Sequence, residues 1–554
     1  MVGPGGEADT VDALEDHRRR SRSRWTAVGA AALLAGSGLL AATPALAAPG
    51  GGGGPGGGPG GAPAGCERRV NASVEKLLRC VTPEGVTEHL QALQDVADAH
   101  GGNRASTTPG YTASIDYVQD TLEASGYEVS VTDFSYDEVS YPGGFAQVSP
   151  TPTTYEQGVD YLPADGTGEG DLQGVTVTAV APGTGASGCT GTAIGVLTGT
   201  VALIERGTCP FGEKVTNAAA AGAVGVILVN NVEGPLNATL GGPATIPAVG
   251  VPTTVGAGLA GAVVDLSVAV ETTTQTTQNL TAELPGRVSD GVVVVGGHLD
   301  SVPEGPGIND NGSGSATILE VAQNLANTRL QHPVRFAFWG AEELGLLGSQ
   351  AYVDSLSEEE LARIGSYLNF DMLGSPNYAN FVYDSDGSSF PAPEGYVSPE
   401  SAAIEQTFED FYGSRGIAFE DTEFDGRSDY QAFADAGIPS GGLFSGAEGL
   451  KTDAQAAAYG GVAGQPYDAC YHQACDDIDN VSAVALDQNS DAVAYAVLTI
   501  AQAGSGPGQG GPGHGGGPGQ GGPGHGGPGG GGGPGHGGPG HGGPGHGHGG
   551  GPAA

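Results

Sequence analysis

Two histidines and a small group of carboxylates carry the chemistry open to this sequence. Of twelve histidines, six (His514, His525, His536, His541, His546 and His548) lie in a repeating Gly/Pro/His tail, and His17 lies in a basic N-terminal region. His89, His100 and His332 have polar neighbours and read as surface residues, which leaves His298 and His472. His298 ends the run VVVVGGH (292–298), a buried strand closing in two glycines and a histidine. Asp300 follows at once, and Asp310 stands in GINDNGSG just ahead of a helix start. A second strand, VRFAFW (334–339), runs out to Glu342 and Glu343. A third, YLNF (367–370), runs out to Asp371. In open α/β sheets, ligands sit beyond the carboxyl ends of the strands. All three strands deliver a His, a Glu pair or an Asp to that end.

These residue types suit zinc, which takes imidazole nitrogen and carboxylate oxygen. Two zinc ions about 3.5–4 Å apart share a bridging carboxylate and a bridging water, an arrangement that acidifies the water and polarises a carbonyl. Two dications balance three ligand carboxylates and one hydroxide, so such a site closes without net buried charge. In a Glu–Glu pair, the carboxylate on the metal is held as an anion. Its neighbour is the better general base.

The elements that must position these groups are legible in outline. After Gln278 the pattern alternates strand and helix and predicts an α/β domain, a mostly parallel central sheet flanked by helices. One helix runs roughly over 313–327, with Ile318, Leu319, Val321 and Leu325 for burial. Upstream, Leu90, Leu93, Val96 and Ala97 mark a helix over 86–99. Ile115, Val118 and Leu122 mark another that stops at Gly126, and YEVSVTDF (127–134) alternates as a strand. Residues 141–275 are rich in Thr, Val and Gly, and 201–231 read strand, loop, amphipathic helix, strand. The expected organisation is a signal peptide (1–47), a Gly/Pro linker (48–65), a catalytic domain in two pieces (66–140 and 276–503) around an insert (141–275), and a Gly/Pro/His-rich tail (504–554) unable to bury a core.

The signal reading rests on Arg18, Arg19, Arg20, Arg22 and Arg24, the apolar run 27–42, and the Ala45-Leu46-Ala47 cleavage pattern. It predicts a secreted protein. No later stretch reads as a membrane helix. Six cysteines in an exported chain read as disulfides. Nearest-neighbour pairing, Cys66–Cys80, Cys189–Cys209 and Cys470–Cys475, is the simplest connectivity, with zinc-binding thiolates the rival reading. The net charge is −43, with three lysines, Lys76, Lys214 and Lys451. Such a field repels nucleic acid and anionic membranes. It reads as a solubility device or as adaptation to high salt. A melting temperature that rises in concentrated salt is the expected mark of the second.

Two resemblances add to this reading. Gly207, Cys209, Phe211, Lys214, Asn217, Ala221, Gly222 and Gly225 make the insert resemble the protease-associated (PA) domain. There it implies either a cap that screens substrate size or a structural insert. The segments GGHLDS, GINDNGSGSA, FWGAEELGLLGS, YLNFDMLGSP, GRSDYQAF, GGLFSGA and YHQACD resemble the secreted bacterial two-zinc leucine aminopeptidases, relatives of glutamate carboxypeptidase and the transferrin receptor. The resemblance implies that His298 and Asp371 bind one zinc, that Glu343 and His472 bind the other, and that Asp310 bridges them. Glu342 becomes the general base and acid, and Tyr471 a hydrogen-bond donor to the tetrahedral intermediate. Asp300 becomes the carboxylate that orients His298. A cis peptide is expected at Asp310–Asn311.

The same resemblance places Glu342, Asp371 and the backbone around Arg427 near the substrate ammonium. Met372, Tyr383 and Phe444 line the first side-chain pocket, with ordinary core as the competing reading. Asp487 and Asp491 match a calcium site whose remaining ligand, an Asp in relatives, falls here at Cys80–Val81. The implied partner is the N-terminus of a peptide or protein, acted on by a monomer. Three alternatives stay open: a carboxypeptidase or dipeptidase using Arg427, a non-catalytic receptor-like binding protein, and glutaminyl cyclase-like chemistry on one zinc.

Overall fold

The structure is a computed structural model and describes residues 65–503, except 182–186, 191–193, 233, 235 and 394. The expected signal peptide, nearly all of the linker, and the tail lie outside the described residues.

Eight strands form the sheet that carries the candidate site: β1 (Val129–Ser140), β2 (Glu271–Leu284), β3 (Val292–His298), β4 (Val334–Trp339), β5 (Ile364–Phe370), β6 (Phe381–Tyr383), β7 (Glu420–Thr422) and β8 (Ser440–Phe444). Their order is β1-β2-β4-β3-β5-β8-β6-β7. The centre is parallel, β3 lying between β4 and β5 and β5 pairing β8. The β1–β2 and β2–β4 pairs are antiparallel, as is β6–β8.

A central parallel strand is covered on both faces and therefore reads as a continuous apolar run. In β3, Val293 and Val295 pack into the core shared with the helices Pro83–Ala99, Gly314–Leu325 and Ala483–Gln502. Val292 and Val294 face the opposite core, with Trp339, Tyr367 and Phe433. Burial of each such side chain contributes about 1.5–3 kcal/mol, so the barren-looking valine run secures both layers. The helix starts follow local rules. Thr82 and Thr108 accept hydrogen bonds from Gly85 and Tyr111 amides, each with proline in the first turn, which satisfies an otherwise orphaned donor.

A second eight-stranded sheet is built wholly from strands between Gly143–Ser149 and Val263–Val268. It contains the expected strand–helix–strand unit, Val201–Glu205, Phe211–Ala220 and Gly225–Val229. Its chain ends are brought together by the long β1–β2 ribbon, which ends at the pair Ser140↔Glu271. The three nearest-neighbour disulfides are the ones formed, with Cα separations of 5.5, 5.8 and 5.3 Å. Among the described residues, no helix is long and apolar enough to cross a membrane.

Two of the three histidines expected at the surface are buried. His89 Nδ1 lies 2.6 Å from the Tyr117 hydroxyl, and its Nε2 lies 2.9 Å from Gln323 Oε1. His332 reaches the carbonyls of Asp290 and Ala503 at 2.9 and 3.0 Å. Their polar sequence neighbours are not their spatial neighbours; tertiary packing supplies hydrogen-bond partners that make burial cheap. His100 is exposed, as expected.

Candidate active site

The strand ends converge as the sequence pattern predicts. Gly296 and Gly297 let β3 pass close to its neighbours. A Cβ at Gly296 would stand 2.7 Å from both Trp339 Nε1 and the Tyr367 hydroxyl, and one at Gly297 would stand 2.5 Å from the Phe370 carbonyl. Three residues beside the acidic and imidazole groups, Ala341, Met372 and His472, have φ of 55°, 51° and 56°. Non-glycine residues in this region cost of order 1–3 kcal/mol each. These unusual turns occur where Glu342, Asp371 and the His472 ring meet.

At that point the groups form two clusters sharing one carboxylate. His298 Nε2 lies 3.2 Å from Asp310 Oδ1 and 3.4 Å from Asp371 Oδ1. His472 Nε2 lies 3.3 Å from Asp310 Oδ2 and 2.9 Å from Glu343 Oε2. Either trio has the side chains and spacing to hold a metal ion. Glu342 Oε2 stands 3.8 Å from His298 Nε2. The Asp310–Asn311 peptide is cis, as expected.

The donor set fits zinc. Asp371 Oδ1 and Glu343 Oε1 are buried without hydrogen-bond partners, a costly state unless a cation compensates them. The second oxygen of Asp371 accepts a 2.6 Å bond from Ser428, which accepts from Asn369 at 2.8 Å. That relay leaves one Asp371 oxygen turned to the cluster. His298 Nδ1 is held by the Asp300 backbone carbonyl at 3.1 Å, with the Asp300 carboxylate farther off at 3.7 Å. That carboxylate instead accepts from the Glu342 amide at 3.2 Å. Asp300 thus touches both the histidine and the segment bearing the Glu pair.

Protonation follows from crowding. Burial pushes Glu342 well above the usual carboxylate range, with Asp371, Asp429 and Glu343 adding to it against His298. Burial raises Glu343, Asp429 and Asp476 each to about 7. Burial opposes charge on His472, but Asp310 and Glu343 overcome it and lift it to about 10. Every one of these shifts makes the metal-free folded chain bind protons more tightly than the unfolded chain. For Glu343, Asp429 and Asp476 the stability contributed is complete below the unfolded carboxylate pKa near 4 and is lost as pH rises through about 7; for His472 it is complete below about 6.5 and is lost as pH rises through about 10. Chelator-treated protein is therefore expected to melt at higher temperature at pH 5 than at pH 8. The gap should narrow in Asp429→Asn. An equal or reversed order of melting temperatures would refute this account.

Met372, Tyr383, Phe444, Arg427 and Tyr471 line one cavity of about 290 Å³ together with Asp310, Glu342, Glu343, Asp371 and His472. Tyr471 stacks on the His472 ring at 3.8 Å and accepts a 3.2 Å bond from Arg427 Nη2. Asp487 and Asp491 are not brought to this site. They lie on the helix Ala483–Gln502, where Asp491 is raised to about 7 by burial and by Asp487. Two residues that matter here were not singled out from sequence: Ser428 and Asp476. Ser428 and Asp476 sit inside GRSDY and YHQACD, but nothing in their local pattern says where they point.

Comparison with known proteins fits this geometry. Residues 279–497 match peptidase family M28 and residues 175–259 match the PA domain. The chain is similar to an aminopeptidase of Pseudomonas aeruginosa, 46% identical over 438 residues covering 76% of this chain and 81% of the relative. The chain belongs to peptidase family M28. This M28 peptidase is an aminopeptidase with a PA domain. It is also similar to leucine aminopeptidase 2 of Arthroderma otae, at 40% identity over 75% of this chain and 83% of that one. Among solved structures, a zinc aminopeptidase from Bacillus subtilis matches with a TM-score of 0.57 at 28% identity, covering 76% of this chain and 95% of the other.

Proposed function

We propose that this M28 peptidase is a secreted two-zinc aminopeptidase that removes large hydrophobic residues, such as leucine, from peptide N-termini. The carrying observation is the division of Asp310, one oxygen toward His298 and Asp371 and the other toward His472. His298, Asp310 and Asp371 would hold one zinc, and Asp310, Glu343 and His472 the other. Bound zinc would supply Lewis acidity and a water acidified toward neutral pH.

The protein's own groups do the rest. Glu342 has no zinc to serve in this scheme and stands beside both clusters, so it takes the proton of the attacking water and returns it to the leaving amine. The Tyr471 hydroxyl, which accepts from Arg427, has its own proton free to donate to the oxyanion. Burial raises Tyr471 far above the ordinary phenol range, so it remains a donor. Glu342 and Asp371 offer negative charge to the substrate ammonium. A free C-terminal carboxylate would need a cation instead. Arg427 Nη1 is already paired with Glu448 at 2.9 Å, which favours the aminopeptidase reading over a carboxypeptidase.

Met372 and Tyr383 are buried, and Tyr383 stacks on Phe424 at 5.1 Å. Together with Phe444 they give the cavity an apolar wall suited to a leucine-sized side chain. Phe444→Ala is expected to lower kcat/KM for Leu-arylamide relative to Ala-arylamide by roughly 10-fold or more, the scale of one or two methylene contacts in a pocket. An unchanged ratio would retire the pocket. The basic leader and the three disulfides support export. The reading as a whole is tested by hydrolysis of Leu-, Lys- and Glu-arylamides alongside N-blocked peptides. Cleavage of the blocked peptides at the same rate would refute exopeptidase action.

A further inference from the structure

The loop from Leu299 to Asp310 has no regular structure up to Gly307, yet it carries Asp300 and Asp310 and ends against the His472 loop. Its backbone is gripped from two sides by buried charges. Arg104, wholly inaccessible to solvent, arrives from the turn before the helix Pro109–Ala124. Its Nε donates to the Pro306 carbonyl at 2.9 Å and its Nη2 to that of Gly307 at 2.6 Å. Its Nη1 donates to the carbonyl of Leu299. Arg104 also exchanges hydrogen bonds with Ser301, its amide to Ser301 Oγ at 2.9 Å and its carbonyl from the Ser301 amide at 3.3 Å.

Asp476 grips the other side. Its two carboxylate oxygens accept the amides of Asn309 and Asp310 at 2.8 and 3.0 Å. Its backbone carbonyl accepts the Ile308 amide at 3.0 Å. It follows directly on the Cys470–Cys475 ring that contains His472. Glycines make the close passage possible. A Cβ at Gly305 would stand 2.3 Å from the Gln473 carbonyl, and Gly307 has φ +63°. The loop's carbonyls are thus held by a guanidinium and its amides by a carboxylate, at the place where the two halves of the site meet.

We propose that Arg104 and Asp476 form a positioning pair that holds Asp310 in register with His298 on one side and His472 on the other before any metal arrives. The proposal rests on the two-zinc reading above. Neither residue touches substrate; each acts through Asp310. An ammonium cannot replace a planar fork that reaches three carbonyls, so Arg104→Lys keeps the charge and loses the grip. Asp476→Asn keeps the shape but turns an NH2 donor against a backbone N–H.

The test uses the purified full-length protein, stripped with chelator and titrated with Zn²⁺ by calorimetry, with the metal-free melting temperature measured in parallel. Both variants are expected to bind zinc roughly 10–100-fold more weakly, the range for residues that support metal ligands. Their metal-free forms should still unfold in one cooperative transition, with melting temperatures lowered by no more than about 10 °C, the scale of a few lost buried hydrogen bonds. Wild-type zinc affinity in either variant overturns the pair. So does failure of both metal-free variants to fold, which would make the two residues merely structural. If wild type itself binds no zinc, the two-zinc reading fails first and separately, and the pair falls with it.

Discussion

Glu342→Gln will lower kcat by roughly 10²–10⁴-fold, the usual contribution of a positioned general base, while bound zinc and KM change little. Glutamine preserves the shape of a side chain that is buried beside both clusters. It removes only the ability to accept and return a proton. Glu343 cannot substitute, because it is held 2.9 Å from His472 in the proposed second zinc site. The segment should stay in place, since the Glu342 amide is anchored on the Asp300 carboxylate through the backbone. The check is steady-state kinetics on Leu-arylamide with zinc content measured on the same sample. Undiminished kcat with full zinc would remove Glu342 from the mechanism.

Asp310→Asn should do more, because it strikes both clusters at once. The substitution removes an anion that two metals would share and puts a donor where an acceptor is needed. Burial disfavours the Asp310 carboxylate, but His298 and His472 more than offset this and hold it well below its ordinary range. The site is therefore built around its charge. Zinc content is expected to fall at both positions. Activity should drop by about 10³-fold or more, as a loss of several kcal/mol of charge stabilisation implies. Elemental analysis after desalting, with activity before and after added zinc, measures both. Asp371→Asn provides the contrast, since it should empty one position preferentially. Equal zinc retention in Asp310→Asn and wild type would sink the shared-carboxylate reading.

Much of the site was legible in the sequence for a physical reason. A central parallel strand must be apolar on both faces, so VVVV and VRFAFW announce themselves. Whatever polar group follows such a strand is placed at the sheet's carboxyl edge by the backbone alone. That logic located His298, the Glu342–Glu343 pair and Asp371. Apolar spacing placed 86–99 inside the helix Pro83–Ala99, but the Thr-Pro starts at 82–83 and 108–109, whose caps are equally local, were not read from the sequence. His89 and His332 were misread because burial depends on partners far away in sequence, such as Gln323 and the Ala503 carbonyl. Periodicity cannot show these.

The sequence alone therefore determined which groups reach the sheet edge and that their types suit metal-assisted hydrolysis. Only the tertiary structure decided how they divide. It turned the two oxygens of Asp310 to different histidines, gave the grip on His298 Nδ1 to the Asp300 carbonyl, and set Arg104 and Asp476 around the loop between them. The reason is that strand-end placement is a property of one chain segment and its immediate neighbours. Orientation of a carboxylate within an ångström or two depends on contacts between separate segments of the chain, such as Ser428 to Asp371 and Asp476 and His472 to Asp310.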